Sequence, residues 1–146
     1  MKITIQVLRG TLWAIILMML YLYGCSGTPV TKTFDPMLQE FEKDIGVSTK
    51  GTKIYFADLS GQKVGTCYVG TRVIHLDRDY WKYAGEWSRK ALLYHELGHC
   101  VCNILIHSKE RQLGCDFSLM GKAMETERCY RDYWDRYVRD LKARCQ

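Results

Sequence analysis

The residues of this chain that can do chemistry lie mainly in one five-residue stretch, His95-Glu96-Leu97-Gly98-His99. On a helix, residues i and i+4 lie on one face about one turn apart, so both imidazoles can reach one metal ion. Zinc suits this spacing, because it binds neutral His nitrogen and keeps one position open for water in catalytic sites. Glu96 is rotated off that face, where it can take a proton from the water. The motif therefore predicts a Zn²⁺ site with Glu96 as general base.

A catalytic zinc site usually needs a third protein ligand, and His107 is the candidate that this sequence favours. Asn103 tolerates the left-handed conformation that would end the helix and turn the chain back toward the metal. If His107 is not the ligand, a carboxylate must replace it, and the candidates are Glu110, Asp116 and Glu125. The fourth histidine, His75, belongs to a predicted strand and is expected to lie on its surface.

The surrounding pattern predicts an α+β scaffold. Asp35-Pro36 favours a helix start with Asp35 as N-cap, and an apolar stripe continues to Ile45. Three short stretches rich in β-branched and aromatic residues, 52–59, 63–69 and 71–77, predict a three-stranded β-meander.

The second half of the chain predicts two longer helices. A loop over 78–85 should precede the helix that carries the motif, which runs to about residue 103. The segment 104–122 has no clear periodicity and is expected to be a loop. Apolar residues then recur at helical spacing from Tyr130 to Leu141 and predict a C-terminal helix.

The first 25 residues predict export. Lys2 and Arg9 accompany an apolar run over 12–23 that is shorter than the about 20 residues of a membrane-spanning helix. The run ends at Gly24-Cys25, which resembles a bacterial lipobox; an uncleaved anchor is the alternative. We predict a lipoprotein signal peptide over 1–24, lipidation of Cys25, a tether over 25–33 and a domain over 34–146. Ser26, rather than Asp, follows Cys25, and by resemblance to enterobacterial lipoproteins this favours the outer membrane, with the domain facing the periplasm.

The cysteines of the mature chain are even in number once Cys25 carries the lipid. The remaining six are Cys67, Cys100, Cys102, Cys115, Cys129 and Cys145. In an exported chain such a set indicates disulfides, with 15 possible pairings. A structural zinc site that uses Cys100 and Cys102 is the competing interpretation, which helix geometry disfavours. Basic and acidic residues are mixed along the chain, whose formal charge is +5, so no nucleic-acid partner is expected.

The motifs in their order resemble a family of small zinc metallopeptidases and lipoproteins encoded by phages and bacteria. The matching stretches are HELGHC at 95–100, GCDFSLM at 114–120 and CY at 129–130, with GTCY at 65–68 upstream. The resemblance covers about 34–141 and implies a compact, metzincin-like zincin. It also implies a Met-turn at Ser118-Leu119-Met120, in which Met120 is a hydrophobic floor beneath the histidines rather than a ligand. His107 lies one residue further from the motif than this family pattern has it.

Within that arrangement we hypothesise three disulfides. They join Cys115 to Cys129 around the Met-turn, Cys67 to Cys100 between sheet and motif helix, and Cys102 to Cys145 at the C-terminus. Closing the first of these loops, of about 15 residues, is worth about 3 kcal/mol in the chain-entropy model.

Two functions are open at this point. The first is an envelope-anchored, monomeric zinc peptidase that acts on a peptide or protein and is attached to the membrane by its lipid. The second is a non-catalytic lipoprotein that binds a host or envelope protein and whose zinc only stabilises the fold. A structural zinc site is closed by four protein ligands and has no need of Glu96, so a fourth ligand would favour the second function.

Overall fold

The computed structural model describes residues 28–108, 111–112, 114–116 and 118–146. Within these residues the chain has the predicted α+β organisation, with four helices, a three-stranded sheet and a two-stranded one. The helices are α1 (Asp35–Ile45), α2 (Arg78–Tyr83), α3 (Glu86–Cys100) and α4 (Glu127–Arg144), and a 3-10 turn (Thr31–Phe34) precedes α1. The strands are β1 (Lys53–Ala57), β2 (Gly65–Tyr68), β3 (Val73–Asp77), β4 (Arg111–Gln112) and β5 (Cys115–Asp116).

The N-terminal segment of the sequence is not part of this description. The predicted signal peptide and the lipidation site Cys25 lie outside the described residues. In the part of the chain that the structure describes, no helix combines the length and the apolar character needed to cross a membrane.

The sheet has the order β1-β3-β2, so the predicted meander is wrong. Strand β3 pairs antiparallel with β2 and parallel with β1. The central position goes to β3 because it buries two side chains completely, Ile74 and Leu76, whereas β1 completely buries only Ile54. The outer edge of β1 is covered by the preceding segment, whose Val30 N–H donates to Ile54 O at 2.8 Å. The outer edge of β2 has no partner strand among the described residues, and α3 packs beside it.

Two local predictions are also corrected. Helix α1 begins at Asp35, but its N-cap is Phe34, because the 3-10 turn runs directly into the helix and leaves Asp35 in its first turn. The predicted loop over 78–85 contains helix α2. This helix starts because the Asp77 side chain accepts a hydrogen bond from Tyr80 N–H at 2.8 Å, as a capping residue does.

The core lies between the sheet and three helices. Helix α3 is at its centre: every residue from Ala91 to Gly98 is buried, so its apolar residues face the sheet on one side and α1 and α4 on the other. The largest fully buried side chains of these elements are Phe41, Ile54, Ile74, Leu76, Leu92, Leu93, Tyr94, Leu97, Tyr137 and Leu141. The motif is therefore built into the best-packed element of the fold.

Three disulfides fasten this core, with the pairing hypothesised above. Cys67–Cys100 joins β2 to the end of α3, and Cys102–Cys145 joins the segment after α3 to the end of α4. Cys115–Cys129 joins β5 to the first turns of α4. A domain of this size buries a limited core, so covalent links add usefully to its stability.

The start of α3 is capped from another helix. Its N-cap residue is Gly85, and the Glu127 carboxylate of α4 accepts hydrogen bonds from Trp87 N–H and Ser88 N–H, both at 2.9 Å, and from the Ser88 hydroxyl at 2.6 Å. A Cβ at position 85 would lie 2.5 Å from this carboxyl group. A glycine is therefore needed where α4 approaches α3, and the carboxylate stabilises the positive end of the helix.

We expect Glu127→Gln to lower the free energy of unfolding at pH 7 by about 1 kcal/mol, the usual cost of losing a helix cap. Partial burial raises the pKa of Glu127, but hydrogen bonds from Ser88 and Trp87 and the charge of Arg131 outweigh it, so the pKa lies below its ordinary value. Because the pKa of Glu127 is lower in the folded state, the stabilisation by its carboxylate is complete above the unfolded-state pKa of about 4.3. This stabilisation disappears as the pH falls through the folded-state pKa.

Urea unfolding of wild type and variant at pH 7 and pH 3 measures this effect. The difference between the two proteins should shrink at the lower pH. Glu86→Gln changes an exposed carboxylate in the first turn of the same helix and should have the smaller effect at pH 7. Equal unfolding free energies of wild type and Glu127→Gln at pH 7 would contradict the cap.

Candidate metal centre

Three histidines converge on one point beside α3. His95 and His99 lie one turn apart on the helix, and His107 approaches from the segment after it. The Nε2 atom of His99 lies 3.1 Å from Nε2 of His95 and 3.2 Å from Nε2 of His107. The three histidines could therefore hold one metal ion.

Glu125 is the other candidate ligand whose side chain the structure describes, and it is not part of this group. Glu110 and the side chain of Asp116 lie outside the part of the chain that the structure describes. His75 lies on the sheet between the rings of Tyr55 and Tyr68, whose centroids are 5.5 and 5.0 Å from its own. This position agrees with the prediction that His75 is a strand-surface residue.

A chain reversal after α3 brings His107 to the site. Helix α3 ends at Cys100, and Asn103 adopts the predicted left-handed conformation, with φ of 57°. Ile104 N–H then donates to Gly98 O at 3.1 Å, which closes the reversal. This turn accommodates the spacing of eight positions from His99 to His107.

Two of the imidazoles are oriented by backbone carbonyls. His95 Nδ1 lies 2.6 Å from Leu119 O, and His99 Nδ1 lies 2.5 Å from Ile104 O. Because a carbonyl oxygen only accepts, each Nδ1 carries the proton, and in the neutral rings each Nε2 carries a lone pair. Two lone pairs that face each other at 3.1 Å repel unless a cation lies between them. Among the residues that the structure describes, this arrangement is the strongest indication of a metal site.

The donor set fits a zinc ion. Zinc–nitrogen bonds of about 2.0–2.1 Å in tetrahedral geometry separate two nitrogen ligands by about 3.3 Å. The two Nε2–Nε2 distances of 3.1 and 3.2 Å are close to this separation. Three protein nitrogens also leave one tetrahedral position open, as in catalytic zinc sites.

The surroundings of His95 and His107 favour the neutral imidazole, which is the form that binds metals. Burial lowers the pKa of His95 to about 4, although the hydrogen bond to Leu119 opposes part of this shift. Burial also lowers the pKa of His107, with smaller contributions from His99 and Lys122. At neutral pH these two ligands therefore need no deprotonation before they bind a cation.

Glu96 lies beside this group with one oxygen unused. Glu96 is 4% exposed, and its carboxylate accepts a hydrogen bond from the Cys67 N–H of β2. The Oε2 atom has no hydrogen-bond partner among the described residues. Burial raises the pKa of Glu96 to about 8, while the bond from Cys67 opposes the shift. A cation nearby would lower that pKa again and favour the carboxylate.

A glycine in β2 makes room for this carboxylate. A Cβ at Gly65 would lie 2.5 Å from Glu96 Oε1 and 2.9 Å from Leu92 Cδ1. The sequence analysis did not identify Gly65 or the Cys67 N–H as parts of the site. A Gly in a strand is a signal for close backbone approach, and it was the available indication here.

The three histidines and Glu96 open into a cleft of about 590 Å³. One side is formed by β2 and the residues that precede it, and the other by the segment 121–124. Its apolar lining includes Val69, Leu92, Leu105 and Met124, and Lys63 and Lys122 supply positive charge. The cleft therefore runs along the free edge of β2, directly in front of the candidate ligands.

The predicted turn at 118–120 is present and packs under α3. Gly121 N–H donates to Ser118 O at 3.1 Å, and Met120 is fully buried. A Cβ at Gly98 would lie 2.5 Å from Met120 Sδ, so the methionine contacts the helix between the motif residues. Met120 therefore packs against the motif helix at Gly98.

Comparison of the chain with protein-family models, with curated proteins and with solved structures gave no match. The resemblance to phage and bacterial metallopeptidases therefore stays a prediction.

Proposed function

We propose that this protein is a zinc-dependent peptidase. The observation that carries the proposal is the pair of facing Nε2 lone pairs on His95 and His99, completed by His107, in a cleft that Glu96 also lines. The Oε2 atom of Glu96 has no hydrogen-bond partner among the described residues. The histidines would hold the zinc ion and leave one position open. Glu96 would lie within reach of a water molecule at that position.

In this proposal the metal ion and the protein residues have separate roles in the reaction. Bound zinc supplies a Lewis acid that polarises a carbonyl and makes water acidic enough to react near neutral pH. Glu96 Oε2 accepts the proton of the water as the water attacks the peptide carbonyl carbon, and then delivers it to the leaving amine. The Cys67 N–H holds the Glu96 carboxylate during both transfers. The backbone carbonyls of Leu119 and Ile104 keep His95 and His99 in the ligating tautomer.

A peptide is the substrate that the cleft suits best. An extended chain could pair through main-chain hydrogen bonds with the outer edge of β2, at groups other than the Cys67 N–H that Glu96 uses, as in strand addition. The apolar lining of the cleft would receive its side chains. This mode places a peptide bond in front of the metal without requiring a preformed deep pocket.

The three disulfides support a place outside the reducing cytoplasm. Together with the predicted signal peptide and lipidation of Cys25, they support a lipid-anchored envelope enzyme facing the periplasm. This location, like the activity, is part of the proposal.

The non-catalytic alternative has less support in the site. A structural zinc ion takes four protein ligands, whereas three converge among the described residues. In a purely structural site, the burial of Glu96 with an unsatisfied oxygen would also lower the stability of the fold and contribute nothing to metal binding.

Metal analysis combined with a peptide-cleavage profile tests the proposal. Purified full-length protein should contain stoichiometric zinc and cleave members of a peptide library. A chelator should abolish both properties, and added zinc should restore them. Stoichiometric zinc without cleavage would contradict the peptidase and favour the binding protein, and absence of zinc would contradict both.

A further inference from the structure

The turn at 118–121 contacts the candidate ligand His95 and the residue that follows His107, through two consecutive carbonyls. Leu119 O accepts from His95 Nδ1 at 2.6 Å. Met120 O accepts from Ser108 N–H at 2.7 Å, and Ser108 directly follows His107. A shift of this turn would therefore move Leu119 O, which orients His95, and would also move the segment that carries His107.

Ser118 fixes the turn from inside. Its hydroxyl oxygen accepts a hydrogen bond from Met120 N–H at 3.1 Å, and its carbonyl accepts from Gly121 N–H. The residue is 4% exposed, so the orientation of the hydroxyl is decided by protein groups. A hydroxyl has one proton to donate, and its direction determines where the lone pairs point.

The Ser118 hydroxyl donates its hydrogen bond to a residue of helix α4, Asp140. The Ser118 hydroxyl donates to Asp140 Oδ2 at 2.5 Å, which is a short, charge-assisted hydrogen bond. With the proton on this side, a lone pair of the hydroxyl faces Met120 N–H. The other oxygen of Asp140 pairs with Arg144 Nε at 3.4 Å on the same helix.

We propose that Asp140 is a positioning residue of the metal centre. It acts through Ser118 on the turn, and the turn acts through Leu119 O on His95 and through Met120 O on the segment of His107. Outer partners of this kind change metal affinity about 10–100-fold when they are removed. The inference rests on the zinc site of the proposed function but not on peptidase activity.

The decisive variant is Asp140→Asn in the full-length protein. This variant preserves the size of the side chain and removes the negative charge that strengthens the hydrogen bond from the Ser118 hydroxyl. We expect zinc to bind about 10–100-fold more weakly in competition with a chromophoric chelator. Ser118→Ala should give a similar loss, and the double variant should lose no more than either single one, because both changes break the same connection.

Two control variants separate this role from a general effect on helix α4. Asp135→Asn changes an exposed carboxylate five residues away and should leave zinc affinity unchanged. Arg144→Gln removes the other partner of Asp140 and should also leave it unchanged. Wild-type affinity in Asp140→Asn, or an equal loss in Arg144→Gln, would overturn the proposal.

A metal-free measurement keeps the inference testable independently of zinc. In the apo protein, the ring proton on His95 Nδ1 should be protected by Leu119 O and visible by nitrogen-edited NMR. Asp140→Asn should increase its exchange with solvent while circular dichroism stays that of the folded protein. Unchanged exchange would refute the positioning role, whereas zinc binding without peptide cleavage would refute only the proposed function.

Discussion

Glu96→Gln should retain zinc with nearly wild-type affinity while hydrolysing peptides about 10²–10⁴-fold more slowly. The glutamine amide matches the carboxylate in shape, and its oxygen can still accept from the Cys67 N–H. It has no oxygen basic enough to accept a proton from water, so the attack and the protonation of the leaving amine both lose their catalyst. The three histidines are untouched, which predicts loss of kcat rather than of metal.

Zinc content and kcat/KM, measured on the same preparations, test this expectation. Glu86→Gln is the matched control, since it makes the same change at an exposed position ten residues earlier on α3, about 15 Å along the helix axis. It should keep wild-type activity. Wild-type turnover in zinc-loaded Glu96→Gln would remove Glu96 from the role of general base.

His107→Ala should weaken zinc binding by more than the 10–100-fold that follows from loss of an outer partner, because the variant removes a proposed direct ligand. His107 is the one proposed ligand outside the helix, and its Nε2 lies 3.2 Å from that of His99. With two ligands left, the zinc-dependent gain in thermal stability should also largely disappear, since metal binding contributes to the free energy of folding.

His75→Ala provides the comparison, because it removes an imidazole that packs between tyrosines on the sheet and lies outside the group. Its zinc affinity should equal that of wild type. Chelator competition and thermal unfolding, with and without zinc, measure both variants. If His107→Ala binds zinc as tightly as wild type, another residue is the third ligand, and Glu110 is then the first to replace.

The helical spacing of His95 and His99 and the turn-forming preference of Asn103 are local properties, and the sequence was sufficient to predict their outcome. The order of the strands depends on competition for burial between β1 and β3. It also depends on Val30, which covers the edge of β1 from 24 residues away in sequence. Tight turns between neighbouring strands suggested a meander, and no local pattern revealed that β3 would lie in the middle.

The parts of the site that were missed are backbone groups or distant partners. Leu119 O and Ile104 O orient the ligands, and a carbonyl has no signature in a sequence because every residue has one. The cap of α3 comes from Glu127, 40 residues beyond Trp87. Such contacts follow from packing and become visible only after the elements are assembled.

Helices α3 and α4 run side by side in the same direction and are joined at both ends. Glu127 at the start of α4 holds the start of α3, and the Cys102–Cys145 disulfide joins the two ends. Helix α4 is kinked at Tyr133, but two helices joined at both ends still resist sliding past each other, so the helix that carries His95 and His99 has little freedom to shift along α4. Adjustment to the substrate must then come from the rim of the cleft, where Leu105 is 62% exposed beside His107.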